Sequence, residues 1–458
     1  MDIKKINKVH FIAIGGSVMH NLALALKKKG IEVSGSDDEI YEPAASKLKE
    51  GGIAANIGWK PEALSKETDL VILGMHAKED NPELTKAKEL DLPIYSFPEF
   101  VRAWSENKQR IVVGGSHGKS TITAMLMHVL KHNKKSFDYL VGAEVEGFPL
   151  TVSLSDAPIV VLEGDEYLAS KLEPVAKFLK YDHHIGVISG IAWDHKNVFK
   201  TFDEYTKQFD LFADKTPKAG SLIYNESDSL VNIVGSKERE DVRKVPYEAH
   251  EAVIKDGKTY LKTKDHGDVA LEVFGEHNLQ NISAALEVCK LIGLTEEQFY
   301  KAIATFKGAK NRLQLLKENA GSYVFKDYAH SPSKLGATVD ALKKQFGEAK
   351  IVVAYELHTF SSLNREFIKE YAGTMDNADT AIVYLNPKNL KLNAADAFNE
   401  ADIQKAFGND QVQFVESDEA LMNALIAAKS NQKQVFAFLS SGKFNLLDLQ
   451  ATADKLLS

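Results

Sequence analysis

The sequence predicts an α/β protein of three domains, each built around a mostly parallel sheet. Three observations carry that prediction. The chain has 458 residues, enough for about three domains at ~100–200 residues each. Three times it passes into an alternation of short apolar strands and amphipathic helices, the signature of parallel sheets. One of those strands runs directly into Gly-Gly-Ser-His-Gly-Lys-Ser and then a helix, the layout of a phosphate-binding loop. Composition agrees: 44% apolar and 26% charged residues belong to folded soluble domains and exclude disordered and fibrous classes.

The first domain is expected over residues 1–107. It opens with an apolar run at 9–14, then Gly15 and Gly16, a helix from about 19 to 29, Gly30 as a stop, and a second strand at 31–34. Further strands are expected at 70–73 and 93–95, and the polar run Glu106-Asn107-Lys108 closes the domain. The second domain, 108–312, begins with a strand at 110–113 and a helix at 121–131. Strands at 159–162 and 185–188 follow, then a small β-rich excursion within 225–273, and helices at 279–292 and 296–306. The third, 313–458, carries strands at 323–325, 350–355, 380–385 and 435–439.

Several classes of function are excluded at this level. The longest apolar runs, 111–113 and 351–354, fall far short of the ~20 residues of a membrane span. A basic start leading straight into a strand-like run, with no apolar h-region, points to the cytoplasm. Cys289 is the single cysteine, so no internal disulfide forms, and no Cys/His cluster suggests zinc. A net charge of −8 argues against a nucleic-acid-coating surface while allowing a local basic pocket for phosphates.

Chemistry concentrates first in Gly114-Gly115-Ser116-His117-Gly118-Lys119-Ser120-Thr121. Glycines let successive backbone N–H groups face a phosphate, Lys119 can reach the β/γ-phosphates, and the Ser120 hydroxyl can ligate Mg²⁺. The N-terminus of the following helix adds its dipole. The strict pattern asks for Gly where Val113 stands. In the first domain, Gly15-Gly16-Ser17 after a strand, with Asp37 about 20 residues further on, is a weak Rossmann-like nucleotide fingerprint. Taken alone it would suggest NAD, although a full G-x-G-x-x-G is absent.

The departure at Val113 is informative, because Gly-Ser-His-Gly-Lys-Ser-Thr resembles the phosphate loop of the Mur ligases. These enzymes join amino acids or peptides to UDP-N-acetylmuramic acid at the expense of ATP. The resemblance makes Gly115, Ser116, His117, Gly118, Lys119, Ser120 and Thr121 the ATP-binding loop. A His at the position of His117 is typical of members that act on the bare muramyl lactate. Other segments fit the same machine in the same order. Glu163-Gly164-Asp165-Glu166, which alone would read as a solvated turn, is similar to the family's Glu-x-Asp-Glu, whose first Glu binds magnesium. Asp194-His195 resembles a strand-end Asp-His whose His serves a second magnesium; the carbamylated lysine that several family members carry downstream has no clear match here and is left open. Gly275-Glu276-His277-Asn278, with Asn281, resembles the adenine-contacting segment, though Asn278 also suits a helix N-cap. Arg312 corresponds to an Arg that reaches the γ-phosphate across the domain junction, while Asn311 replaces the Arg before it. Asp327 corresponds to a ribose contact and His330 to a residue near the reaction centre, with Lys326 and Ser331 departing from the family's Asp and His. His358 resembles a residue of the amino-substrate pocket.

What the resemblance implies is an enzyme using ATP and Mg²⁺ (or Mn²⁺), with the three domains carrying UDP-sugar, ATP and amino substrate in turn. The UDP sugar would then replace NAD at Gly15, Gly16, Ser17 and Asp37. The expected reaction activates the muramyl carboxylate as an acyl phosphate, with Lys119, Mg²⁺ and Arg312 neutralising charge. The amine then displaces phosphate, with His330 or His358 as candidate base; each could equally be an ordinary hydrogen-bonded histidine. Two acceptors remain open, free L-alanine and the tripeptide L-Ala-γ-D-Glu-meso-diaminopimelate. Gly35-Ser36-Asp37 with Tyr41 and Pro43, Glu166-Tyr167, and Asn197-Val198-Phe199 favour the tripeptide, whereas His358–Ser361 and Asn81-Pro82-Glu83 look like L-alanine enzymes. Lys388, Lys391 and Lys443, after strands of the third domain, are candidates to meet the tripeptide's carboxylates. A monomer or homodimer without nucleic-acid or membrane partner is expected. The class alternative, a silent nucleotide sensor, has no need of the full set Lys119, Glu163 and His195. Replacing Lys119 by Ala is expected to abolish turnover and leave the fold intact.

Overall fold

The first apolar run becomes the centre of a five-stranded, wholly parallel sheet. In the computed structural model, the described residues are 3–75, 77–170, 173, 175–193, 198–255, 257–359, 361–386, 398–445 and 447–458. His195, Lys388 and Lys391 lie outside them. The strands of this sheet are β1 (Lys8–Ile12), β2 (Glu32–Asp37), β3 (Ala54–Ile57), β4 (Leu70–Leu73) and β5 (Ile94–Ser96), in the order β3-β2-β1-β4-β5. The order reverses between β1 and β4, so the Gly15-Gly16 turn after β1 stands at the topological switch point, where such sheets take their ligands.

A second sheet of seven strands has the order β12-β11-β10-β6-β9-β7-β8. Its members are β6 (Gln109–Gly114), β7 (Phe137–Leu140), β8 (Val152–Ser153), β9 (Ile159–Gly164), β10 (Ile185–Ile188), β11 (Ser221–Asn225) and β12 (Arg243–Tyr247). All pair in parallel except β7 with β8. Central β6 delivers the glycine-rich loop of Gly114–Thr121 between the ends of β9 and β10, its two neighbours. Within the excursion expected at 225–273, β12 joins this sheet, while β13 (Ala252–Lys255), β14 (Lys258–Lys262) and β15 (Asp268–Ala270) form a small antiparallel sheet.

The last sheet is ordered β16-β17-β21-β18-β19-β20, from β16 (Gln314–Asn319), β17 (Ser322–Asp327), β18 (Lys350–Glu356), β19 (Thr380–Tyr384), β20 (Gln413–Val415) and β21 (Gln434–Leu439). Only β16 runs antiparallel. Consecutive residues of its strands point to opposite faces. Ile351 and Val353 enter one apolar cluster with Phe325 and Leu439, and Val352 and Ala354 enter another with Val324 and Phe438. A sheet covered on both faces explains the unbroken apolar runs of the sequence.

The chain divides into two compact units, residues 1–248 with 280–303, and 249–279 with 304–458. In the first unit one apolar cluster runs from Val9 and Phe11 of β1 to Val112 and Leu162 of the second sheet. Lys108, in the polar run expected to close the first domain, is buried. Its ammonium lies 3.0 Å from the Asp138 carboxylate and donates to the carbonyls of Ser155 (2.8 Å) and Ala157 (2.6 Å). Among the described residues, no helix is long and apolar enough to cross a membrane.

Candidate active site

The loop after β6 owes its shape to two glycines with positive φ, Gly115 at 137° and Gly118 at 81°. A Cβ at Gly118 would lie 2.6 Å from the Asn281 side-chain oxygen, so that asparagine is packed directly against the loop. The helix Lys119–His132 starts at the next residue, and the buried Ser120 and Thr121 belong to its first turn. The Ser116 amide donates to the Gly190 carbonyl (2.9 Å), and its hydroxyl meets the Ala192 amide (2.9 Å) and the Tyr205 hydroxyl (2.7 Å). Ser116 therefore fastens the loop to the segment after β10. His117 packs on Gly190, where any Cβ would collide with its ring, and its carbonyl accepts from the Ser189 hydroxyl.

Carboxylates from the end of β9 complete the loop's surroundings. Ser120 donates to Glu163 at 2.8 Å, and the Gly142 amide donates to the other oxygen of Glu163 at 2.6 Å. Lys119 donates to the Gly115 carbonyl at 2.5 Å and to Glu166 at 2.6 Å, and Glu166 is wholly buried. Burial pulls the Lys119 ammonium down, but Glu166 and Asp165 outweigh it and hold its pKa above the usual lysine value. Burial likewise pushes Asp165 up, and Lys177 (2.6 Å away) and Lys119 prevail, so it titrates below the ordinary aspartate range. Sequence reasoning gave no role to Glu166 or Tyr205. Glu166 stands in a quoted motif, but Tyr205 lies 39 residues further on and carries no local signal. The oxygen donors of Ser120 and Glu163 suit a hard divalent cation, which fits the magnesium expected there.

At the first sheet, the Gly15 amide donates to the Asp37 carboxylate at 2.8 Å, and Asp38 N donates to its other oxygen at 2.9 Å. Asp37 thus ties the turn to the end of β2. Gly16 caps the helix Ser17–Lys28, and its carbonyl meets the amide of His20 (3.0 Å) and the Nδ1 of the same residue (2.9 Å).

The second unit gathers the remaining candidates. The Asn278 side chain donates to the Phe274 carbonyl at 2.8 Å in the first turn of the helix Glu276–Leu291. Asp327 accepts from the Leu313 amide (3.0 Å) and the Thr338 hydroxyl (2.6 Å), and the Arg312 guanidinium lies 4.6 Å over the Tyr328 ring. The His330 carbonyl receives the hydroxyls of Tyr355 (2.9 Å) and Tyr371 (3.0 Å). His358 Nδ1 is 3.8 Å from Glu356, whose other oxygen accepts from the Ser440 hydroxyl and the Phe444 amide. Beside this group three lysines converge. Gln314 pairs with Lys326, Tyr328 N bonds the Asn311 carbonyl (2.8 Å), and Ser440 N bonds the Asp327 carbonyl (3.0 Å), which brings the segments of Lys310, Lys326 and Lys443 together. Half-buried Lys326 is held below the usual lysine value by burial and by the charges of Lys310 and Lys443.

A doubly wound sheet with a glycine turn, a glycine-rich strand-to-helix loop ringed by carboxylates, and a third, mostly parallel sheet are the architecture of nucleotide-binding α/β proteins. Sequence profiles narrow this: the Mur ligase family catalytic domain matches residues 8–109, the Mur ligase middle domain 113–289, and the Mur ligase glutamate ligase domain 311–442. The chain belongs to the Mur ligase family and is an ATP-dependent amide ligase. It is 34% identical to the UDP-N-acetylmuramate–L-alanine ligase of Caldicellulosiruptor bescii, over 82% of this chain and 83% of that one. The enzyme of the same name from Carboxydothermus hydrogenoformans is 32% identical, over 83% and 82%. Among solved structures, the Thermotoga maritima UDP-N-acetylmuramate-alanine ligase superposes over 98% of both chains with a TM-score of 0.71 at 24% identity. The UDP-N-acetylmuramate:L-alanyl-γ-D-glutamyl-meso-diaminopimelate ligase of Neisseria meningitides covers 66% of this chain and 98% of its own, with TM-score 0.58 and 26% identity.

Proposed function

We propose that this ligase joins L-alanyl-γ-D-glutamyl-meso-diaminopimelate to UDP-N-acetylmuramate in the cytoplasm. In this reading residues 1–107 hold the UDP sugar, 108–312 ATP, and 313–458 the acceptor. The observation that supports it is the convergence of Lys310, Lys326 and Lys443 at the carboxyl end of the last sheet. Three cations there suit a ligand with several carboxylates, whereas free L-alanine needs one counter-charge. The muramyl carboxylate attacks the γ-phosphorus, ADP leaves, and the acyl phosphate forms; the acceptor amine then adds to the acyl carbon and phosphate departs. Lys119 neutralises charge building on the phosphoryl oxygens, a role the resemblance also gives Arg312. Ser120 and Glu163 would hold the magnesium ion, which supplies further charge neutralisation when bound. His330 and His358 are the candidate groups to take the amine's proton.

A second reading, with L-alanine as acceptor, is favoured by the names of the relatives at 34% and 32% identity. Phosphate release with UDP-N-acetylmuramate and either acceptor under identical conditions separates them. The tripeptide should be the better substrate, and Lys443→Ala should raise its KM about tenfold, the scale of one lost charged contact. Efficient ligation of L-alanine with no tripeptide turnover would overturn the proposal and establish the second reading.

A further inference from the structure

We propose that Glu166 is a positioning residue for the phosphate-loop lysine, held by the Tyr205 hydroxyl, which Ser116 in turn fixes, so that the Lys119 ammonium is aimed before ATP arrives. This rests on the reading of the loop as the ATP site.

The geometry is that of a one-way chain. The Ala192 amide can only donate, and it donates to the Ser116 hydroxyl at 2.9 Å. Ser116 and Tyr205 hydroxyls are 2.7 Å apart, and Tyr205 donates to Glu166 at 3.3 Å. With Tyr205's single proton used on the carboxylate, Ser116 must donate to Tyr205. Every proton in the series therefore points toward Glu166, which receives Lys119 on its other oxygen at 2.6 Å. The side chains of Glu166 and Tyr205 are buried, so the carboxylate has no bulk water to drift into. Ser116 is itself a loop residue, bound through its amide to Gly190. The chain consequently references the ammonium to the backbone of the loop that would hold the phosphates. A lysine has four side-chain torsions and loses entropy when fixed; fixing it in the free enzyme removes that cost from the reaction step.

The test measures kcat and KM for ATP with UDP-N-acetylmuramate and whichever acceptor is turned over. Affinity for a non-hydrolysable ATP analogue and the thermal midpoint are measured alongside. Glu166→Gln keeps the shape and removes the charge. It should lower kcat at least about tenfold, in line with the cost of misplacing a reacting group, and leave the KM for the UDP sugar unchanged. Tyr205→Phe removes one hydroxyl with the charge intact, and should lower kcat about two- to fivefold with unchanged analogue affinity. Glu166→Asp should recover part of the Glu166→Gln loss. Unchanged kcat in both Glu166→Gln and Tyr205→Phe would overturn the proposal, as would a lower KM for ATP at full kcat, which would make Glu166 a competitor of the phosphate. Lys119→Ala separates the two levels: full turnover there refutes the ATP-loop reading itself, whereas an inactive Lys119→Ala beside a fully active Glu166→Gln refutes only the positioning role.

Discussion

Lys119→Ala should do more than stop turnover. From sequence, a phosphate-loop lysine packs against little, and its removal is expected to spare the fold. The structure changes that expectation. The Lys119 side chain is 13% exposed and Glu166 is 0% exposed, with 2.6 Å between ammonium and carboxylate. Removing the cation leaves a fully buried carboxylate with the Tyr205 hydroxyl at 3.3 Å on its other oxygen, and a neutral donor cannot offset the charge. Breaking a buried pair from one side costs ~3–5 kcal/mol, and the partial exposure of Lys119 puts the expectation near ~3. The assay is denaturant unfolding of Lys119→Ala, Glu166→Gln and the double variant. The double variant should recover most of the lost stability, since both charges are gone, and regain no turnover. An unfolding midpoint for Lys119→Ala equal to that of the parent would refute this reasoning. So would a double variant less stable than Lys119→Ala, because the penalty would then not reside in the stranded carboxylate.

Two further outcomes are expected. Glu163→Gln should raise the Mg²⁺ requirement and slow turnover by ~10²-fold, the range for losing a preorganised electrostatic contact, since this carboxylate meets Ser120 at 2.8 Å; unchanged Mg²⁺ dependence in a titration removes it from the ion's surroundings. His183, stacked on Phe212 and bonded to Thr216 at 2.9 Å, is pushed down by burial to about 3. Folded protein thus holds it neutral where the unfolded chain binds a proton, so stability should fall as pH drops from about 6.5 toward 3, by up to ~1.4 kcal/mol per pH unit. His183→Gln should flatten that slope in urea melts at pH 4–7, and parallel slopes would refute the assignment.

What was legible follows from how strands are buried. Leu70–Leu73 and Ile185–Ile188 are buried at every residue, so no polar side chain interrupts them and the sequence marks their ends. Edge strands carry no such mark. Ala54–Ile57 is exposed or half-buried throughout, and Arg243–Tyr247 presents charged residues to solvent, so neither reads as a strand until its neighbour supplies the hydrogen bonds. The surroundings of Lys108 are illegible for a related reason. Lys108 belongs to a polar run with Glu106 and Asn107, and only the fold brings Asp138 and the carbonyls of Ser155 and Ala157 to its ammonium.

The candidate site divides in the same way. Ser120 is legible because strand, turn and helix fix the loop locally, whereas Glu163 is marked only by the family resemblance; β6 pairs with β9 so that Val113 faces Glu163 in register. The contacts of Glu166 depend on a tyrosine from a helix (Phe202–Asp214) in a different crossover, a distance that no motif spans. Lys326 is the instructive intermediate case. Its identity was visible as a departure, a cation where the family resemblance leads one to expect an aspartate, but a departure alone has no direction. Its neighbours give it one: burial, and then the charges of Lys310 and Lys443, hold its ammonium below the usual lysine value, with the Glu356 carboxylate acting in the opposite sense. Like charges placed near one another repel, and an anionic ligand would lower that repulsion further than Glu356 does. That repulsion is a physical reason to look for a polycarboxylate acceptor at the end of the last sheet rather than for an amino acid with a single carboxylate.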